Sequence, residues 1–335
     1  MKYVLIIIFF FLSNLQLVNA QTFSSSKKSQ FEFVVSKDES GDFSTIQEAI
    51  NASDDSENRE VLILIKAGIF KEKIVIPKSK HHITLIGENK ETTIITYDDY
   101  SSKIDSVSKQ AINTFTSYTL LVQADDISIK NLTIQNSTCN KGQAVALHVE
   151  GNRFFMTDSN ILGCQDTLFT EGENSNQFYL NCYIEGTTDF IFGPATVVFK
   201  DCTIKSKKDS YITAASTPEN KAFGYAFINC DLIADSNATK VFLGRPWRPY
   251  AKTVFIKCRL ENHIVPEGWN PWLDKRFPDK DKTAYYAEYK NKGKGSDISK
   301  RVSWSHQLTK NEEKKYTLKT IFKDNTSWSI LEKYK

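Results

Sequence analysis

The sequence predicts an all-β chain wound as a solenoid, with a parallel β-helix the form that fits best, and three observations predict it. A four-residue pattern, polar then small or apolar then any residue then Ile or Leu, returns along the middle of the chain. It reads NLTI at Asn131, DSNI at Asp158, NCYI at Asn181, DCTI at Asp201, NCDL at Asn229 and KCRL at Lys257, at intervals of 27, 23, 20, 28 and 28 residues. β-branched and aromatic residues crowd ahead of each copy, as in DISIK, RFFMT, NQFYL, TVVFK, YAFIN and TVFIK. Cys182, Cys202, Cys230 and Cys258 fall in one slot of four successive copies. Short strands at such a spacing, with little helical pattern between them, stack as coils whose strands pair with the coils above and below.

In chain order, residues 1–20 read as a secretory signal. Lys2 gives the positive start, Val4 to Leu12 the apolar run, and Val18-Asn19-Ala20 the small-residue cleavage site. Residues 21–30 form a short polar segment and 31–335 the folded domain. The apolar run is too short and too near the terminus for a membrane span, and no second one follows. A secreted, soluble monomer is expected. The stretch from Gly41 to Ile50 carries two capping-box spacings, Ser44 with Gln47 and Thr45 with Glu48. A short helix there would close one end of the solenoid. Thr309 with Glu312 repeats the signal for the other end. Asn262 to Asp281, rich in Pro and Trp, lacks the strand pattern and is expected to leave the coil and lie over a face.

Secretion permits disulfides among the six cysteines. Equivalent residues of neighbouring coils lie about 4.8 Å apart. That suits a stack of buried thiols and a bridge equally, with Cys202–Cys230 the first pair to test. Cys139 and Cys164, 25 residues apart, span one coil and can bridge too. No C-x-x-C pair points to zinc. Glycan sequons start at Asn51, Asn131, Asn136, Asn237 and Asn325. A net charge of +3 is too weak for nucleic acid but suits residence near an acidic polysaccharide.

Two aspartates stand in apolar or small-residue runs, Asp166 in CQDTLF and Asp189 in DFIFGP. A carboxylate there costs several kcal/mol unless something pairs with it or uses it. Gln143, Asp166 and Asp189 are separated by intervals of 23, and Arg245 lies two intervals of 28 beyond Asp189. One coil per interval would set all four on one longitudinal stripe, with Gln165 beside Asp166. Two neighbouring carboxylates do not both ionise cheaply, and a cation beside one splits their pKa values. Arg245 would hold Asp189 as an anion, a possible nucleophile, leaving Asp166 protonated as a general acid. The amides of Gln143 and Gln165 suit an oxyanion. This chemistry permits acyl transfer and equally glycoside hydrolysis. Spacing alone also fits an Asp–Arg ion pair and Gln ladders that merely tie coils together.

Several stretches together resemble the plant pectin methylesterase family. They are GDFSTIQEAI from Gly41, AGIFKEKI from Ala67, ITLIGE from Ile83, QAVAL from Gln143, QDTL from Gln165, DFIFG from Asp189, LGRPW from Leu243 and YYAEY from Tyr285. They run in the family's order over about residues 31 to 330. The resemblance implies a right-handed parallel β-helix that hydrolyses the methyl esters of galacturonate units in pectin. It implies Asp189 as nucleophile, Asp166 as acid and then base, Gln143 and Gln165 on the oxyanion, and Arg245 orienting Asp189, with no cofactor and no metal. Cell-wall pectin is the implied partner, and the resemblance leaves room for a proteinaceous pectinesterase inhibitor. Flat aromatic faces suit sugar rings, so Trp247, Trp269 and Phe169 are expected to wall the substrate groove. A glycosidase or lyase on the same solenoid, or a silent pectin-binding wall protein, stand as alternatives.

The chain departs from the family's usual pattern in four places. Phe70 stands where a Tyr is usual, His148 where a cation is commoner, and Cys164 where an aromatic is usual. The domain follows the leader almost at once, so no inhibitor-like pro-region is expected. None of these removes a site residue.

Overall fold

The computed structural model describes residues 31–54 and 59–334. The leader read over residues 1–20 and the polar segment 21–30 lie outside the described residues. Each coil repeats one plan, clear in the run Asn176–Leu180, Tyr183–Gly186, Ile191–Gly193. Successive strands go to three different sheets, and the next coil returns to the first. The result is three sheets of 11, 8 and 7 strands among the described residues. Within each, the paired strands run parallel, Tyr179 beside Phe199, Ile184 beside Ile204 and Ile191 beside Thr213. The chain is a parallel β-helix.

The recurring sequence pattern is the corner between the first two sheets. Its leading residue is left-handed in all six copies, with φ of 56° at Asn131, 52° at Asp158 and Asn181, and 55° at Asp201, Asn229 and Lys257. Asn and Asp accept this conformation more readily than most side chains, which explains five of the six. Their side chains also tie coils together: Asn181 donates to Asp158 at 2.6 Å and Asn229 to Asp201 at 2.5 Å. The next residue turns inward. Cys182, Cys202, Cys230 and Cys258 are buried and unbridged, each thiol donating to carbonyls of its own and the preceding coil. The Cys202–Cys230 bridge is therefore not formed, and the four behave as small apolar core residues with a satisfied S–H. Cys139 and Cys164 are bridged, with their Cα atoms 5.4 Å apart.

Inside the first sheet, Tyr179, Phe199, Phe227 and Phe255 stack at centroid spacings of 5.0, 4.5 and 4.4 Å. Such a ladder follows directly from parallel in-register coils, because like positions face one another. The helix Ile46–Ala52 covers the first coil with Ile46, Ala49 and Ile50, and Thr45 caps it by accepting from the Glu48 N–H. Of the two capping spacings only this one is used. Gln47 instead turns its amide onto the backbone of Val75.

The capping box at Thr309 also forms. The helices that follow it do not close the far end, as the sequence led us to expect. Leu318, Ile321, Phe322, Trp328 and Leu331 pack along the outer face of the 11-stranded sheet, on Phe155, Phe178, Val198 and Ala226. Those outward residues are themselves apolar, so this face needs a cover more than the end does. At the far end Trp269, Tyr286 and Trp304 stack over the core. Part of the Asn262–Asp281 loop continues the coil, since Ile264 bridges Val241 and Trp269 bridges Gly244 in parallel. Among the sequons, Asn136 and Asn325 are buried and Asn131 donates to the Gly87 and Glu88 carbonyls, which leaves Asn51 and Asn237 exposed.

Candidate active site

The 7-stranded sheet presents its outward side as the floor of a groove of about 280 Å3. Gln143, Gln165, Asp166, Asp189 and Arg245 line it together with Phe192, Ala214 and two indoles, Trp247 and Trp272. Backbone pairing fixes the rungs: the Ala144 N–H donates to Gln165 O, the Asp166 N–H to Thr188 O and the Asp189 N–H to Tyr211 O. Gln143, Asp166 and Asp189 thus come from three successive coils, with Asp166 and Asp189 in one slot and Gln143 two positions ahead of it, because the first two coils pair at an offset of 21 and not 23. Both aspartates are left-handed, with φ of 64° and 49°. Each begins the turn into its strand, which aims the carboxyl outward where a continuing strand would have buried it.

Arg245 is not on the same slot as Asp189. Asp189 lies two residues before Ile191, whereas Arg245 follows Gly244, which pairs through Thr213 with Ile191. The guanidinium reaches back across that offset. Its Nε donates to Asp189 Oδ1 at 2.9 Å and its Nη2 to Oδ2 at 2.6 Å, a bidentate pair. The guanidinium carbon sits 3.9 Å from the Tyr211 ring centroid and 3.7 Å from that of Trp272. Gly244 lets the strand come this close: a Cβ there would stand 2.0 Å from Thr213 Oγ1.

Asp189 is 7 % exposed. Burial pushes its carboxyl above the ordinary range and the Arg245 pair pulls it back, leaving it raised. Asp166 is pushed much further, well above the ordinary carboxylate range, by burial and then by the neighbouring Asp189, with Arg245 opposing. Its carboxyl has no hydrogen-bond partner among the described residues. Both carboxyls are raised, Asp166 further than Asp189, and only Asp189 is bonded to a cation. The side-chain amides of Gln143 and Gln165 have no hydrogen-bond partner among the described residues, so their donors are free for a ligand oxygen.

This predicts a stability effect with a definite sign. A carboxyl whose folded pKa is raised stabilises the fold fully below its unfolded pKa. That contribution is lost as pH rises through the folded pKa. Asp166→Asn should therefore melt about 2 °C or more above the parent near pH 8, and match it near pH 3. Thermal melts across pH check this, and an unchanged or lower melting temperature near pH 8 would contradict the raised pKa.

Two expected groove walls are corrected. Trp269 is 1 % exposed and packs between Phe255 and Tyr286, so it is core. Phe169 is 2 % exposed, stacked 4.5 Å from Phe192, and backs the floor from the next rung. Trp247 does line the groove, edge-on to Phe192 at 5.9 Å. The walls that sequence reading missed are Trp272, Phe192 and Phe115. Trp272 was within reach of it, as the second indole of the same loop. His148 is buried, with Nε2 2.6 Å from Glu171 Oε2 and its ring 4.5 Å from Phe169.

A β-solenoid that sets an arginine-held aspartate beside a second, unpaired carboxyl under aromatic walls has the architecture of a hydrolase of sugar polymers. The chain belongs to the pectinesterase family, whose model matches residues 32–325. It is 32 % identical to pectinesterase QRT1 of Arabidopsis thaliana, over 91 % of this chain and 80 % of that one. It is 35 % identical to pectinesterase 3 of Solanum lycopersicum, over 91 % of this chain and 56 % of that one. Among solved structures, carrot pectin methylesterase superposes with a TM-score of 0.82 at 32 % identity, covering 90 % of this chain and 96 % of that one. A pectin methylesterase in complex with a hexasaccharide superposes at 0.78 and 30 % identity, covering 88 % and 98 %.

Proposed function

We propose that this chain hydrolyses the methyl esters of galacturonate units in pectin, releasing methanol and leaving free carboxylates. The observation that carries the reading is the bidentate Arg245–Asp189 pair beside the unpaired, raised carboxyl of Asp166. An Asp189 oxygen attacks the ester carbonyl carbon, and the amides of Gln143 and Gln165 donate to the oxygen that becomes negative. Asp166 gives its proton to the methoxy oxygen as the C–O bond breaks, and methanol leaves. The product is an anhydride between Asp189 and the galacturonate carboxyl. Asp166, now ionised, takes a proton from water as the water oxygen attacks that carbonyl. Asp189 departs as carboxylate and Asp166 is protonated again.

The match to a pectin methylesterase solved with a hexasaccharide supports a sugar polymer in this groove. Trp247, Trp272 and Phe192 offer the flat faces it needs. Family membership supports an extracellular, cell-wall setting for a protein acting on pectin. Relatives named pectinesterase/pectinesterase inhibitor support an inhibitor protein as a further partner. The test is to incubate the protein with methylated pectin and measure methanol, new reducing ends and unsaturated product. Methanol alone is expected. New chain ends would make it a glycosidase, unsaturated ends a lyase, and no product a binding protein.

A further inference from the structure

Lys280 opens the short helix Lys280–Thr283 that follows the Trp-rich loop. Its side chain is 0 % exposed, and Nζ has no hydrogen-bond partner. The nearest carboxylate oxygen, Asp274 Oδ2, is 3.8 Å away and is already held by Arg276 at 2.9 Å. A buried ammonium without a hydrogen bond is costly and calls for a reason. Nζ lies 4.6 Å from the ring centroid of Trp272, the same ring that carries the Arg245 guanidinium at 3.7 Å.

Trp272 is itself held in an unfavourable way. Its φ is 47°, a left-handed conformation that bulky residues seldom adopt. One hydrogen bond, from its N–H to Asn270 Oδ1 at 2.8 Å, braces that turn. The helix is tied to the chain that follows Arg245, where the Tyr250 N–H donates to Thr283 Oγ1 at 3.4 Å. A strained backbone thus delivers an indole to Arg245, and a buried cation faces that indole.

We propose that Lys280 is a positioning residue for the esterase reaction, holding Trp272 against Arg245 through the face of its indole ring. This rests on the esterase reading above. The chain of contact runs from Lys280 to Trp272, to the Arg245 guanidinium, to both oxygens of Asp189. The ammonium attracts the ring face by charge and quadrupole. The ring in turn limits where the guanidinium can sit, and the guanidinium aims the nucleophile. Small misplacements of such a group cost large factors in rate.

The charged groups facing Lys280 are Asp274, which favours its protonated form, and Arg248, Arg245 and Arg276, which oppose it. Burial is the largest influence, and together they bring the amine down to about 8. The attraction therefore holds at neutral pH and is released as pH rises through that value.

The experiment compares parent, Lys280→Met and Lys280→Arg on methylated pectin from about pH 6 to about pH 9.5, with melts of each. Methionine keeps the length and removes the charge. The parent's kcat should fall through an apparent pKa of about 8. Lys280→Met should lose roughly three- to thirty-fold in kcat at neutral pH, lack the inflection near 8 while keeping whatever fall the ionisation of Asp166 causes, and melt higher because a buried charge without a hydrogen bond is gone. Lys280→Arg should keep kcat within a few-fold and lack the inflection near 8. A Met variant with parental kcat, or one that loses kcat and melting temperature together, overturns the proposal. So does an Arg variant that retains the inflection near 8. A parent that releases no methanol fails the esterase reading instead.

Discussion

Asp189→Asn should abolish methanol release, with a loss of roughly 10^4-fold or more, and leave the fold intact. The amide keeps the shape of the carboxyl and one acceptor oxygen, so one bond from Arg245 can persist. What it lacks is the charge and the second acceptor. A neutral amide oxygen does not displace methoxide, and no other carboxylate in the groove is held for attack. Asp166 is the nearer substitute, but its carboxyl is pushed well above the ordinary range and no cation is bonded to it. The fold should tolerate the change because the side chain's neighbours are a groove and a guanidinium packed on Tyr211 and Trp272. Methanol assays alongside a circular dichroism melt check both halves. Near-normal turnover in a folded variant would remove Asp189 from the nucleophile's role.

The β-helix was legible because its signals are repeated. A corner pattern read six times, with apolar runs ahead of it, outweighs the noise in any one copy. The reason for its polar first residue was not legible, because φ does not appear in a sequence. The carboxylates were legible for a different reason: an acidic residue in an apolar run demands an explanation. Arg245 was found by counting, yet the count put it in the wrong slot. The contact survives because an arginine side chain is long enough to cross the offset between rungs.

Trp269 and Trp272 show where reading stopped. They are three apart in a loop with no period, so nothing local says which ring faces inward. The first continues the third sheet by a bridge to Gly244 and so enters the core. The second is turned out by a left-handed residue that no sequence rule would assign to tryptophan. Lys280 is hidden in the same way. In the run Asp279-Lys280-Asp281-Lys282 it reads as one more solvated charge, and only the fold removes it from water.

Arg245→Ala should cost roughly 10^2- to 10^4-fold in methanol release near neutral pH, and its pH dependence should change in a definite direction. In the parent, burial raises the Asp189 carboxyl and the arginine's two hydrogen bonds and charge lower it. With the guanidinium gone only the raising influence remains, so the ionised nucleophile is populated at higher pH than before. The acid limb of the rate profile should move up. Full recovery at alkaline pH is not expected, because the two hydrogen bonds that orient Asp189 are gone at every pH, even though Asp166, freed of the guanidinium that lowers its carboxyl, keeps its proton to higher pH as well. Stability follows the same sign. A carboxyl with a raised folded pKa supports the fold below its unfolded pKa and withdraws that support as pH rises through the folded value. The variant should therefore melt progressively lower than the parent as the buffer is made more alkaline. Arg245→Lys should restore only part of the rate, since an ammonium supplies charge without the planar fork that bonds both oxygens. If the lysine variant matches the parent, charge alone suffices and the bidentate geometry is not what orients Asp189.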